Sequence, residues 1–312
     1  MRFATLGLVA AVLASPAFAA DLDYGVLRGS DDDYAAAAPI VDWSGFYAGG
    51  HGGYSSTAMG FKNAFQSSFA DYLRARDIES QFGVSSLLAL PSRREHGGTY
   101  GAFAGYNIQF DEFVAGVEVD YTHLDQTGRS SAYISRTFTT TDGMYETANL
   151  SGLASTKIED FGTIRGRAGY AFGDFLPFVT AGVAIGRATV TQEGYIQNFG
   201  YDRNAYTANQ AQTNGAQVAV ANHGYTRFNP NYPQPFSTPA NGGVQTVPAP
   251  AAVVVARSKS RTIAGLALGA GLEYAITPNI LLRGEYQYVL FDDFDGHKAN
   301  INTVRGGAAI KF

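Results

Sequence analysis

Residues 280–291 read ILLRGEYQYVLF. Successive side chains of a β-strand point to opposite sides. Leu282, Tyr286, Tyr288 and Leu290 therefore share one face, and Arg283, Glu285 and Gln287 share the other. The end of the chain, NTVRGGAAIKF at 302–312, repeats the device: Val304, Ala308, Ile310 and Phe312 oppose Thr303, Arg305 and Lys311. Further back, Val117, Val119 and Tyr121 oppose Glu118, Asp120 and Thr122. Ile164, Ala168, Tyr170 and Phe172 oppose Thr163, Arg165 and Arg167, while Leu266, Leu268, Leu272 and Tyr274 oppose Gly269, Gly271 and Glu273. Segments 43–54, 99–110 and 175–190 alternate less cleanly, with Gly and Ala in place of charges. The pattern predicts eight strands, at 43–54, 99–110, 113–123, 161–172, 175–190, 261–276, 280–291 and 302–312. Each reaches the ~9–11 residues that a tilted strand needs to cross a bilayer.

Alternation does not say which face is inside. A secreted β-sandwich alternates too, with its apolar side inward. The connections separate the two. Asp111-Glu112, Gly173-Asp174 and Thr277-Pro278-Asn279 are tight, whereas 55–98, 124–160, 191–260 and 292–301 are long, and the two kinds strictly alternate. An up-and-down arrangement puts the short turns at one end and the long loops at the other. Transmembrane β-barrels have that plan, with short periplasmic turns and long external loops. The predicted fold is thus all-β: an eight-stranded antiparallel up-and-down transmembrane β-barrel, closed because hydrocarbon offers no partner to a free sheet edge. Tyr and Phe near the segment ends, among them Tyr54, Phe110, Phe113, Tyr121, Tyr170, Phe172, Phe175 and Tyr274, supply two aromatic girdles. The connection at 191–260 has room for another hairpin, so a count of ten strands stays open.

Composition removes other classes. The 312 residues hold no Cys, which excludes disulfides, thiolate nucleophiles and Cys-ligated metals. A net charge of −5 argues against nucleic acid as a partner. Residues 1–19 read as a signal peptide: Arg2, an apolar stretch from Phe3 to Leu13, and Ala17-Phe18-Ala19 as the cleavage signature, with cleavage expected before Ala20. Residues 20–42, with Asp31, Asp32 and Asp33 in a row, read as an acidic periplasmic tether ahead of a barrel domain at 43–312.

Three stretches carry a family resemblance. WSGFYAGGHGGY (43–54) resembles the first strand of small outer-membrane barrels, DFGTIRGRAGYAF (160–172) resembles their mid-chain hairpin arm, and RGGAAIKF (305–312) resembles their assembly signal, through Arg305, Gly307, Ile310 and Phe312. The chain is similar to the surface-antigen outer-membrane proteins of alphaproteobacteria, within the OmpA-barrel and opacity-protein-like, porin-like group. The resemblance implies insertion into the cell outer membrane by the assembly machinery and abundant surface or structural proteins, usually without catalysis. It also implies contact with outer-membrane lipid and lipopolysaccharide.

In a barrel with its apolar face toward lipid, the polar face fills the lumen. Glu118, Asp120, Glu273 and Glu285 then meet Arg165, Arg167, Arg283 and Arg305. Four acids against four bases read as a paired network and not as a selectivity ring. Eight strands leave a lumen that side chains can fill. The expectation is a barrel closed by ion pairs, serving envelope integrity and surface interaction, with a small-solute channel as the alternative. His51 reads as a lumen hydrogen-bonder.

The loops carry further expectations. Phe61, Phe65, Phe69, Tyr72 and Leu73 form one apolar helical stripe, expected to pack on the barrel rim. The alternative lays it on lipid headgroups, with Arg74, Arg76, Arg93 and Arg94 meeting lipopolysaccharide phosphates. The third loop mixes Tyr195, Tyr201, Tyr206, Tyr225 and Tyr232 with Pro230, Pro233, Pro235, Pro239, Pro248 and Pro250. That composition resists one packed conformation and suits adaptable contacts with host or phage surface ligands. A lipid- or peptide-modifying site is a weaker reading, from His123 beside Asp125 and from Asp292, Asp293, Asp295 and His297. The same three aspartates lack a full calcium-loop signature and read as a solvated acidic turn. No cofactor is expected.

Overall fold

The computed structural model describes residues 41–312. The expected signal peptide and all of the expected tether but Val41 and Asp42 lie outside the described residues. Eight long strands follow: β1 Gly45–Phe61, β2 Leu90–Phe110, β3 Phe113–Thr139, β4 Met144–Tyr170, β5 Phe175–Asp202, β6 Ala252–Thr277, β7 Ile280–Phe294 and β8 His297–Lys311. Each pairs antiparallel with the next, and β8 returns to β1 in a ladder from Tyr47 opposite Lys311 to Gly60 opposite Lys298. The sheet closes on itself. The third long connection contributes only Asn222–His223, beside β5, and a small ribbon of Tyr225–Arg227 with Val247–Pro248. None enters the ring, so the barrel has eight strands and not ten.

Burial decides which face is inside. Val117, Leu266 and Val304 are 62 %, 62 % and 64 % exposed, while Glu118 and Arg165 are each 1 % exposed. The apolar face looks outward and the charges are enclosed. A water-soluble sandwich would show the reverse. Phe110, Phe113, Tyr170, Phe172, Phe175 and Tyr274 are exposed at the tight-turn end, and Tyr54, Tyr100, Tyr121 and Tyr286 lie further up the wall. At the first tight turn Asp111 takes φ 51°, a left-handed geometry that Asp tolerates.

The long connections differ from the sequence reading. Much of what read as loop is strand. β3, β4, β5 and β6 run 27, 27, 28 and 26 residues, well past the length that spans hydrocarbon. Residues 124–160 form one hairpin that turns at Thr140–Gly143, where the Gly143 N–H donates to the Thr140 carbonyl. Above the lipid-facing belt the interior changes character. Leu124, Leu150, Ala154 and Ile158 are buried inward, while Ser131, Tyr133 and Ser135 face out. In β4 the exchange is made by the irregularity between Ile158 and Asp160. One extra residue, Glu159, transfers the inward role from odd to even positions.

The first connection fills this upper space. Helices α1 Gln66–Leu73 and α2 Asp77–Phe82 bring Phe65, Phe69, Leu73 and Ile78 into one apolar cluster with the wall. The stripe therefore packs inside the barrel mouth and not on its rim. Phe61 belongs to the end of β1, and Tyr72 stays exposed. A Cβ at Gly152 would lie 2.4 Å from the Phe65 ring, and one at Gly194 would lie 2.8 Å from it. Two wall glycines thus form the seat for the helix.

The third connection adopts a packed arrangement despite its prolines. Asp202 caps helix α3 (Arg203–Ala211) by accepting from the Ala205 N–H at 2.9 Å. Phe199, Tyr225 and Phe228 pack in sequence as tilted ring pairs, and His223 reaches Glu146 on β4 at 2.7 Å. Asn209 and Asn229 bond backbone groups that prolines and irregular geometry leave without ladder partners.

Candidate functional site

The bore is the candidate site, and alternation builds it. Inward positions two apart carry Glu118 and Asp120 on β3, Arg165 and Arg167 on β4, and Arg283 and Glu285 on β7. Strand register sets Glu118 opposite Arg165, Glu273 opposite Arg283, and Glu285 opposite Arg305. Opposite charges facing each other across neighbouring strands favour this register over its slips. Further pairs cross the lumen. Arg283 donates to Glu118 at 2.5 and 3.0 Å, Arg165 to Glu285 at 2.5 Å, and Arg305 to Asp120 at 2.7 Å. Arg167 grips both oxygens of Glu273, at 3.0 and 2.5 Å. The structure brings all eight charged residues into one layer.

Further side chains complete that layer. The Tyr47 hydroxyl donates to Glu118 at 2.8 Å and accepts from Arg167 at 3.1 Å. His51 lies 2.9 Å from Asp120 and is nearly fully buried. The Arg283 guanidinium lies between the rings of Phe103 and Phe178, 4.6 Å from each centroid. Gly269 leaves room for the charges: a Cβ there would lie 2.7 Å from Glu285 Oε1. Gly307 of the expected assembly signal faces His51, 3.2 Å from where its own Cβ would stand. Ile310 and Phe312 point outward, and Arg305 points into the bore.

Below the ionic layer an apolar plug closes the tight-turn mouth. Val41, Trp43, Val114, Leu176, Leu281 and Ala309 form one buried cluster. Trp43 has no exposed surface, and its indole N–H donates to the Gly173 carbonyl at 3.3 Å. Val41, near the end of the expected tether, is therefore packed into the barrel, while Asp42 beside it stays exposed and accepts from Lys311 through its carbonyl. The sequence reading missed this role. Its signal was a lone Trp at the start of the first predicted strand.

Above the ionic layer come Ser55 and Thr303, whose hydroxyls bond at 2.7 Å, and then the apolar mouth plug of α1. His297 lies against that plug, fully enclosed. Arg257 donates to Gln192 Oε1 at 2.9 Å, which turns Gln192 Nε2 toward His297 Nε2 at 3.0 Å and toward the Ala64 carbonyl of the plug at 2.8 Å. His297 Nδ1–H then donates to Thr156 Oγ1 at 2.7 Å. Burial lowers the His297 pKa to about 4, so the ring is neutral at physiological pH. A proton on Nε2 would face the Gln192 N–H that now donates to it.

The residues weighed for catalysis do not converge. His123 packs at a tilt against the exposed Tyr100 ring, and Asp125 pairs with Lys157 at 3.0 Å. Asp295 pairs with Arg261 at 2.6 Å, and Asp293 accepts from the Gly296 N–H. Among the described residues no group of three or more His, Asp or Glu side chains is placed to hold a metal ion.

A closed antiparallel ring with lipid-facing apolar residues and an ionic interior defines a transmembrane β-barrel. Residues 6–312 match the family described as outer membrane protein beta-barrel domain, and the chain belongs to that family. It is 29 % identical over 325 residues to the 31 kDa outer-membrane immunogenic protein of Brucella melitensis, covering all of both chains. It is 30 % identical over 201 residues to the 22 kDa outer membrane protein of Rhizobium leguminosarum bv. viciae, covering 64 % of this chain and 67 % of that one. Among solved structures, Neisserial surface protein A aligns with a TM-score of 0.33 and 12 % identity, over 86 % of this chain and 98 % of that one. The protein resides in the cell outer membrane.

Proposed function

We propose that the chain is a sealed, non-catalytic barrel that supports the envelope and presents its extended external sheet and loops as an antigenic surface. The observation that carries the reading is closure of the bore at three successive heights: the Trp43 cluster, the ionic layer and the α1 plug. Every one of the eight ionic side chains in the middle layer is at least nine-tenths buried. A conducting pore needs a continuous wet path, and an eight-stranded lumen filled with side chains provides none. The Brucella relative is named for immunogenicity, which supports the surface-antigen part of the reading. Planar-bilayer recording of purified, heat-modifiable protein should show no steady channel. Reproducible ohmic conductance would replace this reading with the small-solute channel.

A further inference from the structure

We infer that the outward face of the extended sheet β3–β6, above the lipid belt, is a contact surface for the neutral sugars of outer-leaflet glycolipids standing beside the barrel.

The outer wall changes upward in three bands. Val117, Ile164, Val183 and Leu266 are exposed and apolar in the lowest. Next comes a charged band in which Lys157 pairs with Asp125 at 3.0 Å and with Glu159 at 2.9 Å. Thr127, Thr189 and Ser260 align with Lys157 at the level of this band. Above it the ladder sets out rows made mostly of small polar side chains, beginning with Arg129, Ser155, Thr191 and Ser258. Higher still Tyr133, Ser151, Tyr195 and Val253 align, followed by Ser135, Asn149 and Gln197. Arg129 and Glu193 are the charged side chains that stand among these upper rows.

The chemistry suits sugar. Thr189 bonds Ser260 at 2.9 Å, Thr191 bonds Ser258 at 2.9 Å, and Asn149 donates to Gln197 at 2.7 Å. The two exposed hydroxyl pairs hold their groups in a fixed array, and each hydroxyl keeps hydrogen-bonding capacity beyond its pair; Gln197 spends its Nε2 on the Ala249 carbonyl. Tyr133, Leu153 and Val253 are 66 %, 42 % and 60 % exposed among them. Exposed aromatic and aliphatic surface set in a field of hydroxyls and amides matches a pyranose ring, which offers a C–H face and a hydroxyl edge.

Position selects the occupant. These residues lie on the same strands and the same outward side as the lipid belt, separated from it by the charged band. The face looks sideways along the membrane, so its neighbours are molecules anchored in the outer leaflet. Their acyl chains, charged groups and neutral sugars succeed one another in the same order as the three bands.

The test uses the full barrel in phosphatidylcholine nanodiscs and, as probe, lipopolysaccharide core oligosaccharide freed of lipid and phosphate. Saturation-transfer NMR should show contact with the wild type. Tyr133→Ala with Tyr195→Ala should weaken it about tenfold, and Tyr133→Phe with Tyr195→Phe should keep it. If the alanine pair fails to reach a heat-modifiable form, Ser151→Arg, which lengthens a half-exposed side chain in the same row, should block contact instead. Equal binding by all variants would overturn the inference. So would binding of the phosphorylated oligosaccharide alone with sensitivity to Lys157→Gln, which would move the contact to the charged band. Neither result bears on whether the bore conducts.

Discussion

Arg283 is the residue through which the ionic layer can be measured. It touches Glu118 at 2.5 and 3.0 Å and Glu285 at 3.0 Å, with its side chain 4 % exposed, and two aromatic rings hold its guanidinium. Replacing it with Met keeps most of the volume between Phe103 and Phe178 and removes one positive charge. Four carboxylates would then share three arginines in an enclosed space. Breaking a buried pair by removing one partner costs about 3–5 kcal/mol. Adding Glu118→Gln restores neutrality at three against three, and the double variant should lose under about 2 kcal/mol, since an apolar or neutral replacement of a whole pair is often tolerated. The assay is urea unfolding in phospholipid vesicles. Trp43, the single Trp of the chain, is buried at the tight-turn mouth and reports by fluorescence. A single-variant loss below about 1 kcal/mol would refute the reasoning, because surface-like pair energies mean that water reaches the layer.

Acid should loosen the mouth plug through His297. The folded pKa of about 4 lies below the ordinary 6.5, so the stability that neutral His297 supports is complete above pH 6.5 and declines as pH falls toward 4. Integrated over that window the loss is about 3 kcal/mol, and amide exchange of residues 62–89 should accelerate at pH 4 in the wild type but far less in His297→Gln. Crowding should expel the same plug. Gly152→Val forces a side chain into the Phe65 ring and should cost about 1–3 kcal/mol, exposing α1 to protease, and Phe65→Ala in the same chain should restore protection; protection unchanged by Gly152→Val would show that α1 is seated elsewhere.

The spanning halves of β7 and β8 were legible because lipid on one side and ion pairs on the other give strong alternation. Arg283 and Glu285 against Leu282 and Tyr286 admit little else. The upper halves were not legible for a related reason. In β3 above Leu124 the inward set is Gln126, Gly128, Ser130 and Ala132, and the outward set is Thr127, Arg129 and Ser131. Both sets mix polar with small side chains and neither is apolar throughout, so periodicity fades while backbone pairing continues. The extra residue Glu159 then inverts parity within β4, which no fixed-period reading follows. The α1 stripe was visible as a stripe. Its docking place was not, because the niche at Gly152 and Gly194 exists only when β4 and β5 stand side by side.

The inversion inside the barrel follows from what lies outside it. Where the wall faces hydrocarbon, outward apolar side chains are already away from water, and the lumen is left to polar groups that must satisfy one another. Where the wall faces water, apolar surface gains only by turning inward, so the interior becomes Leu150, Ala154, Ile158 and the helix they enclose. The height at which the lumen changes from ionic to apolar therefore marks the membrane surface independently of the aromatic girdle. The two markers agree: Tyr121 is exposed on the wall at the level where inward Thr122 gives way to Leu124. A barrel made only of pores and turns has no reason to change its interior there. One that continues upward as a solid, water-facing body must do so.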